Sequence, residues 1–439
     1  MGEHTTVEAI VAEIGAQVKG ECQWLRHSRG ERLATVEVRL LELVKRLRRL
    51  ILDAAAQALG TGYAGSTLPC GCGATARFVS YRRRTLLTLV GELVLRRAYY
   101  WCSRCGTSQV PLDECLGLGG ASQSPGIVAT TLLVCALHPN AQAMKLLEEL
   151  GIPHVSVKES QRIVLEAGEE VLGDRDAEAR AWSQEHADPT EDVRPQVPQR
   201  LAVLMDGTTV HTDGDWHEVK VGTFYLFDEE GGALGEKGCV ATFEGVEHFR
   251  RLWDTEAQRW HLARAPAVVA LCDGSTWTWN TVAEYCPPHT VQLLDFYHAA
   301  KHLWKLAHAI WGEGSSRAAE WVETQKTRLL EGQLEEFFAA LRRWSELERY
   351  RQAAEEQLRY FETNRARLGY AEALARGYPI GSGMVEAACK TVIGLRQKQP
   401  GMRWRRRMAE VIAHLRCIYF SDRWSRFRTR WIERASRAA

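Results

Sequence analysis

Apolar residues recur at helical spacing over the first sixty positions. Val7, Ile10, Val11, Ile14 and Val18 share one stripe, and Leu40, Leu41, Leu43, Val44, Leu47, Leu50 and Ile51 another. The spacing predicts two amphipathic helices from about Thr5 to Ala58, parted at Gly30 and stopped at Gly60-Thr61-Gly62. The period then shortens to that of a strand. The stretch Ala76 to Trp101 reads as a β-hairpin. Between Ser124 and Leu172 the helical period returns in three runs, 124–138, 140–150 and 155–172. The short turn Gly151-Ile152-Pro153-His154 joins the last two, with Ser156 as a candidate N-cap. This is helix-turn-helix spacing, and it would turn Lys158, Gln161 and Arg162 toward a DNA major groove; an ordinary helical packing unit has the same pattern. Residues 173–199 are polar and hold Pro189, Pro195 and Pro198, which reads as a linker.

From Leu201 the order of elements changes. Strands are expected at 201–207, 218–228 and 238–245, with turns at 212–215 and at Gly231-Gly232. A helix, a strand at 265–274, a helix at 275–286 and a strand at 290–296 follow, and then a long helical region. Three hairpin-linked strands followed by strand–helix crossovers mean a mixed sheet covered by helices. Ribonuclease H-like nucleic-acid enzymes share this order. His302 to Tyr370 is charged, helical and free of strand patterning, so it reads as an all-helical insertion. Tyr378-Pro379-Ile380-Gly381-Ser382-Gly383 then breaks the chain ahead of a helix on which Glu386 and Lys390 lie one turn apart. The expected class is multidomain α+β. Its parts are an N-terminal helical region (1–66), a zinc-ribbon-like module (67–118), a helix-turn-helix-like region (119–172) and the linker (173–199). A ribonuclease H-like α/β core (200–301), the insertion (302–377) and a core helix with a basic tail (378–439) complete it.

Composition narrows the class. A chain of 439 residues has room for about two to four domains. No apolar run reaches bilayer length, and the acidic start lacks the basic and apolar regions of a signal peptide, so a cytoplasmic, nucleoid-associated protein is expected and a membrane partner is not. The net charge of +1 hides an asymmetry: residues 390–439 carry fourteen Lys/Arg against three acids, an excess of eleven. Such a tail suits DNA, with Arg403, Trp404, Arg405, Arg406 and Arg407 as the grip; the alternative is a solvated helix face balanced by acids elsewhere. The cluster Lys45, Arg46, Arg48 and Arg49 reads as a solvated helix face, with DNA contact as the alternative.

Twelve cysteines in a long chain of this kind argue against a disulfide framework. Eight are scattered and read as buried thiols. The other four are Cys70 and Cys72 before the hairpin and Cys102 and Cys105 after it. Two glycine-containing knuckles across a hairpin are the pattern of a structural zinc site, which uses four thiolates and leaves no open position for catalysis. The first pair is CxC where CxxC is the commoner spacing.

Carboxylates supply the other candidate chemistry. The strands from Leu201, Ala265 and Thr290 are expected to end on Asp206, Asp273 and Asp295, and the last helix supplies Glu386. Acids at the ends of buried strands are costly without a cation or an ion-pair partner. Two Mg²⁺ or Mn²⁺ ions about 3.5–4 Å apart assist phosphodiester cleavage by activating the attacking oxygen and stabilising the leaving one. Asp206 is the expected bridging ligand, with Asp273 and Glu386 flanking and Lys390 on a terminal phosphate. Asp295 and His298 are expected to support the site or to position DNA. Each has a structural alternative: Asp206 and Asp273 both precede Gly and can form turns, and Glu386 with Lys390 can be a simple i,i+4 pair. His298 and His302 have i,i+4 metal spacing but more often are hydrogen-bonded ring pairs. Trp277, Trp279 and Trp304 read as core.

The segments CGCG, LTLVGELVLRRAYYWCSRCG, PLDECLGL, MDGTTV, WHEVKVGTFY, CDGSTWTWN, LLDFYHAAKHLW, GSGMVEAACK and GMRW follow one another from about Cys70 to Trp404. Together they resemble the bacterial insertion-sequence transposases of the ISKra group. The resemblance implies a DDE transposase with a ribonuclease H-like core and a helical insertion before the Glu. By position the three acids fall on Asp206 in MDGT, Asp273 in CDGS and Glu386 in GSGMVE, and the (C/D)xxH motif on Asp295 and His298 in DFYH. It implies metal-dependent exposure of a 3′-OH and its attack on target DNA, with Mg²⁺ or Mn²⁺ catalytic and Zn²⁺ structural. The implied partners are double-stranded DNA, as element ends and as target, and a second copy of the chain on DNA. A non-catalytic DNA-binding regulator on the same scaffold and a structure-specific nuclease are the rivals. The CxC pair is the departure from the family pattern, and it bears on zinc alone.

Overall fold

The computed structural model describes residues 6–27, 30–183 and 193–437, in two compact units: 1–163 with 426–439, and 164–425. The first unit opens with α1 (Val7–His27) and α2 (Leu33–Ala58), a helical hairpin in which Ile10 and Leu43 are buried. Buried Glu21 pairs with Arg39 and Arg46 across it. Four antiparallel strands follow in sequential order: β1 (Thr67–Pro69), β2 (Thr75–Thr88), β3 (Gly91–Cys102) and β4 (Thr107–Gln109).

The long β2–β3 hairpin is buried on opposite faces at its two ends. Ala76, Ala98, Tyr100 and Cys102 cluster at one end, and Leu86, Leu95 and Leu112 at the other. A bulge between Phe78 and Ser80 makes this possible, because the extra residue switches which face the even positions of β2 occupy. Arg84 and Arg97 consequently meet on Asp113 of α3 (Pro111–Cys115). Next come α4 (Pro125–Leu137), capped by Ser124, and α5 (Asn140–Glu149). Then α6 (Val157–Ser183) starts where Ser156 accepts from the Glu159 amide at 3.2 Å.

Helix α6 departs from the sequence reading. It runs eleven residues into the stretch expected to be a linker, and residues 184–192 of that stretch lie outside the described residues. The helix continues because its polar sequence hides a buried face: Val171, Leu172, Arg175 and Ala179 are all covered. The Arg175 guanidinium is held there by Glu410, far along the chain, so local patterning carried no sign of it.

The second unit is a five-stranded mixed sheet of order β7-β6-β5-β8-β9. Its elements are β5 (Arg200–Thr212), β6 (Asp215–Phe227), β7 (Ala233–Thr242), α7 (Val246–Arg259), β8 (Ala267–Cys272), α8 (Thr276–Tyr285) and β9 (Val291–Leu294). Strands β5, β8 and β9 are parallel, and β5, β6 and β7 antiparallel. Alternation along the central strands feeds two cores. Leu201, Val203, Met205, Val268, Ala270 and Cys272 face one, and Ala202, Leu204, Val269 and Leu271 the other.

The rest of this unit is helical, as expected of 302–377. It comprises α9 (Phe296–Trp311), α10 (Ser316–Leu330), α11 (Leu334–Ser345), α12 (Arg351–Thr363), α13 (Tyr370–Ala375) and α14 (Gly383–Ala388). A π-helical turn at Cys389–Gly394, α15 (Leu395–Gln397) and α16 (Arg406–Phe420) follow, and α17 (Trp424–Arg437), which from residue 426 belongs to the first unit, ends the described residues. Trp279 is buried, and Trp277 and Trp304 pack against the same core. Two scattered cysteines, Cys22 and Cys115, are exposed, contrary to expectation. No helix among the described residues is long and apolar enough to cross a membrane.

Candidate functional site

The four spaced cysteines converge. Cys70 lies 3.5 Å from Cys105, and Cys72 lies 3.6 Å from Cys70 and 3.7 Å from Cys102, sulfur to sulfur. Tetrahedral zinc with Zn–S bonds of about 2.3 Å needs sulfurs about 3.8 Å apart, so the geometry fits the ion and both residues of the CxC pair take part. Two knuckles set this up. Gly73 and Gly106 adopt positive φ, and their amides donate to the carbonyls of Cys70 and Cys102. The Thr107 hydroxyl and amide hold the Cys105 thiol down at about 6, favouring a thiolate. The cluster could hold a structural Zn²⁺.

The acids meet at the carboxyl edge of the parallel strands. Pairing of β5 with β8 ends at Met205 and Cys272, and pairing of β8 with β9 at Cys272 and Leu294. The next residue on each strand is an aspartate, so Asp206, Asp273 and Asp295 occupy three neighbouring positions where open α/β sheets bind ligands. By alternation these positions share the face of Leu204, Leu271 and Leu293, against which Val385 and Ala388 of α14 pack.

One expectation is corrected here. Asp206 does not end its strand: β5 continues through Gly207 to Thr212, paired throughout with β6, and turns instead at Asp213-Gly214, where both residues have positive φ. What ends at Asp206 is the flanking by β8. Residues at the strand end and residues at the end of a shared ladder look alike in sequence.

The acids differ in their surroundings. Asp295, 2 % exposed, caps α9 by accepting from the Tyr297 and His298 amides at 3.2 and 3.0 Å. It also takes the Ser382 amide at 2.8 Å, tying the start of α14 to the sheet. It thus fixes the starts of the two helices that carry His298 and Glu386. Asp206 is largely buried, which pushes its carboxyl above the usual carboxylate range; the Gly207 amide, 2.7 Å from Oδ1, opposes this, while Asp273 and Glu386 nearby raise it further. His298 faces it with the opposite influence, and the Cys389 thiol lies 3.8 Å from its Oδ2. Asp273 is oriented by Ser275, whose amide and hydroxyl donate to its two oxygens at 2.9 and 2.8 Å. The turn-forming alternative therefore holds for Asp273, yet each oxygen keeps acceptor capacity. Tyr360 of α12 fixes the same turn by donating to the Asp273 carbonyl at 2.9 Å.

Glu386 is half exposed and pairs at 3.1 Å with Lys301 of α9, not with Lys390. Lys390 lies exposed on the π-helical turn, where the wider winding replaces simple i,i+4 stacking. Arg416 steadies that turn from below, donating to the Val392 carbonyl at 2.7 Å and to that of Thr391. Among the described residues only the four cysteines bring three or more ligand atoms within 4.8 Å of one another. Asp206, Asp273 and Glu386, the expected metal ligands, are therefore not gathered to mutual ligand distance, although Asp273 and Glu386 lie near enough to Asp206 to raise its carboxyl. The His298–His302 spacing does not make a chelating pair: His302 stacks on Tyr360 at 3.6 Å and lies 2.6 Å from the Gln357 amide oxygen.

No protein-family model matches the chain, and no curated protein matches it significantly.

The basic residues divide. Lys158, Gln161 and Arg162 are exposed along the start of α6, with Arg162 paired to Glu159. Of the Arg403–Arg407 run, Arg403 and Arg405 face solvent. Arg407 grips Glu169 at 2.7 Å, and Arg406 donates to the Phe243 carbonyl beside Glu244. Trp404 donates to the Gln397 carbonyl under the Arg396 guanidinium and so packs structurally. The balancing acids of the bland alternative thus exist for part of the tail. Sequence reasoning missed Lys301, Ser275, Tyr360 and Lys398, which donates to the Thr208 hydroxyl beside Asp206. Lys301 alone had a signal, one helical turn after His298 in the segment DFYHAAK.

Proposed function

We propose that the chain is a DDE transposase that binds the ends of its own insertion sequence and carries out metal-dependent DNA cleavage and strand transfer. The observation that carries this reading is the row Asp206, Asp273 and Asp295 along one carboxyl edge, with Glu386 held over it by α14. The strand order, three antiparallel strands followed by two parallel ones, supports a ribonuclease H-like core. The motif resemblance adds the substrate class, double-stranded DNA.

Asp206 and Asp273, each the next residue after the end of the β5–β8 pairing, would hold the divalent cation. Glu386 completes the set once it leaves Lys301. Mg²⁺ or Mn²⁺ held there supplies the Lewis acidity that stabilises phosphate oxygens and activates the attacking one. The chain's own part is arrangement. Ser275 aims Asp273, Asp295 fixes the start of the Glu386 helix, and Lys301, Lys390 and Lys398 offer cations to the phosphodiester backbone. The cysteine module holds Zn²⁺ structurally, and the exposed Lys158, Gln161, Arg162, Arg403 and Arg405 contact DNA. The Glu386–Lys301 pair favours one rival, a non-catalytic DNA-binding regulator.

Incubation with Mg²⁺ and DNA carrying candidate element ends decides among these. A transposase nicks the ends and joins them to target. Cleavage without joining indicates a structure-specific nuclease, and binding with neither indicates the regulator.

A further inference from the structure

We infer that the cross-strand pair Arg83 and Arg96 on the β2–β3 hairpin clamps a backbone phosphate of duplex DNA, which makes the cysteine module a DNA-contacting element as well as a structural one. The inference rests on the reading of DNA as the partner, and it assigns a surface that neither the helix-turn-helix pattern nor the basic tail supplies.

The strand register carries it. Arg82 stands directly opposite Arg97 on the hairpin, and Arg83 directly opposite Arg96. Residues so paired have Cβ atoms about 4.5–5.5 Å apart, and like charges at that spacing destabilise a sheet. Alternation puts the two pairs on opposite faces, and only one of them is compensated. On the first face Asp113 bonds Arg97 and Arg84 and offsets the charge. On the second, Arg83 and Arg96 are exposed and have no acidic partner among the described residues. Two guanidinium groups without a carboxylate are completed by an anion, and paired phosphate oxygens match the planar fork.

The surroundings point to a polymer of phosphates. Residues 67–109 hold seven arginines, no lysine and a single acid, Glu92. Asp113 serves two of the seven, and Arg77, Arg82, Arg83, Arg96 and Arg104 stay exposed. A free phosphate ion would need only the opposed pair; five arginines along one hairpin suit a backbone. The Arg96 guanidinium lies 4.2 Å from the centre of the Tyr81 ring, and that of Arg82 3.3 Å from Tyr99. Stacking restricts both before they bind, which lowers the ordering cost of binding. The clamp face is also open. It carries Tyr81, Thr85 and Val94, all exposed, and Tyr81 to Thr85 runs roughly 13 Å, the length of about four base-pair steps.

The test is binding of the full, zinc-loaded chain to duplex DNA carrying candidate element ends, followed by fluorescence anisotropy over about 50–200 mM salt. Arg83→Gln/Arg96→Gln should weaken binding about tenfold and flatten the slope of log affinity against log salt by about one to two, at about 0.9 per phosphate contact, with zinc content unchanged. Arg83→Lys/Arg96→Lys should recover the slope. Without DNA, Arg83→Gln should melt no lower than the wild type, because it relieves a like-charge pair; a lower melting temperature would mean that the pair serves the fold and would overturn the clamp. So would wild-type affinity and slope in the double glutamine variant, and if that variant also nicks the ends, the transposase reading stands without the clamp. Displacement of the duplex by inorganic phosphate at constant ionic strength would overturn DNA as the occupant. Hairpin-dependent binding by a wild type that never nicks keeps the clamp and removes the transposase reading, and a wild type that binds no duplex overturns both.

Discussion

Among the described residues the four cysteines stand at metal-ligand spacing and the acids Asp206, Asp273 and Glu386 do not, and the two groups are built in opposite ways. The sulfurs stand 3.5–3.7 Å apart on knuckles fixed by positive-φ glycines, already at the spacing zinc requires. The carboxylates stand open: Asp206 is desolvated, Asp273 is bonded to Ser275, and Glu386 is turned to Lys301. A site that holds a small module together must be complete for the module to fold. On the proposed reading, the acids repel one another until a cation and the phosphodiester arrive, so that their interaction is strongest at the reacting centre.

The contrast can be broken at several points. Cys102→Ser/Cys105→Ser should lose about one equivalent of zinc and unfold the β1–β4 module, since structural zinc in small domains is worth about 10 kcal/mol or more. Metal analysis with circular dichroism checks this, and a folded, metal-free variant would place the two clusters on the same footing. Next in size is Glu410→Ala. It takes from the buried Arg175 guanidinium one of its two carboxylate partners, leaving Asp176, and deprives Thr242 and the Phe243 amide of an acceptor, at a cost of about 3–5 kcal/mol in denaturant titration. That result would show that openness is confined to the acids and does not extend to the unit beneath them.

A smaller effect is expected at the ion pair itself. If Lys301 competes with the cation for Glu386, Lys301→Met should tighten Mg²⁺ binding by about three- to tenfold, up to roughly 1.4 kcal/mol, in a calorimetric titration. No change would mean that Glu386 takes no part in the site. The smallest effect concerns pH. Burial raises the Asp206 carboxyl above its unfolded value, so the wild type loses stability as pH rises through that interval and has lost it fully above the folded value. Asp206→Asn lacks this loss. Its melting temperature relative to the wild type should rise as pH increases above the unfolded carboxylate value of about 4, and Mg²⁺ should narrow the gap.

What sequence could show of these regions follows from how local each is. The cysteine pairs sit within four residues of one another on either side of one hairpin, so their spacing alone pointed to the cluster. Strand order was equally legible, because β5, β6, β8 and β9 each carry their own apolar run. The position of Asp206 inside β5 was not, since it depends on where the partner strand β8 stops. Pairings made across long separations stayed hidden for the same reason: Arg175 with Glu410, Arg407 with Glu169, Glu386 with Lys301. These explain why α6 outruns its apolar pattern and why part of the basic tail is neutralised.

The most direct measurement of the proposed chemistry is Mg²⁺-dependent nicking of element-end DNA by the wild type, Asp206→Asn, Asp273→Asn and Glu386→Gln, alongside their end binding. The account predicts that the wild type nicks, that each substitution lowers the rate by at least about a hundredfold, roughly 2.7 kcal/mol, and that binding stays within a few-fold. Undiminished nicking by any of the three variants, or a wild type that binds the ends and never cuts, would contradict it.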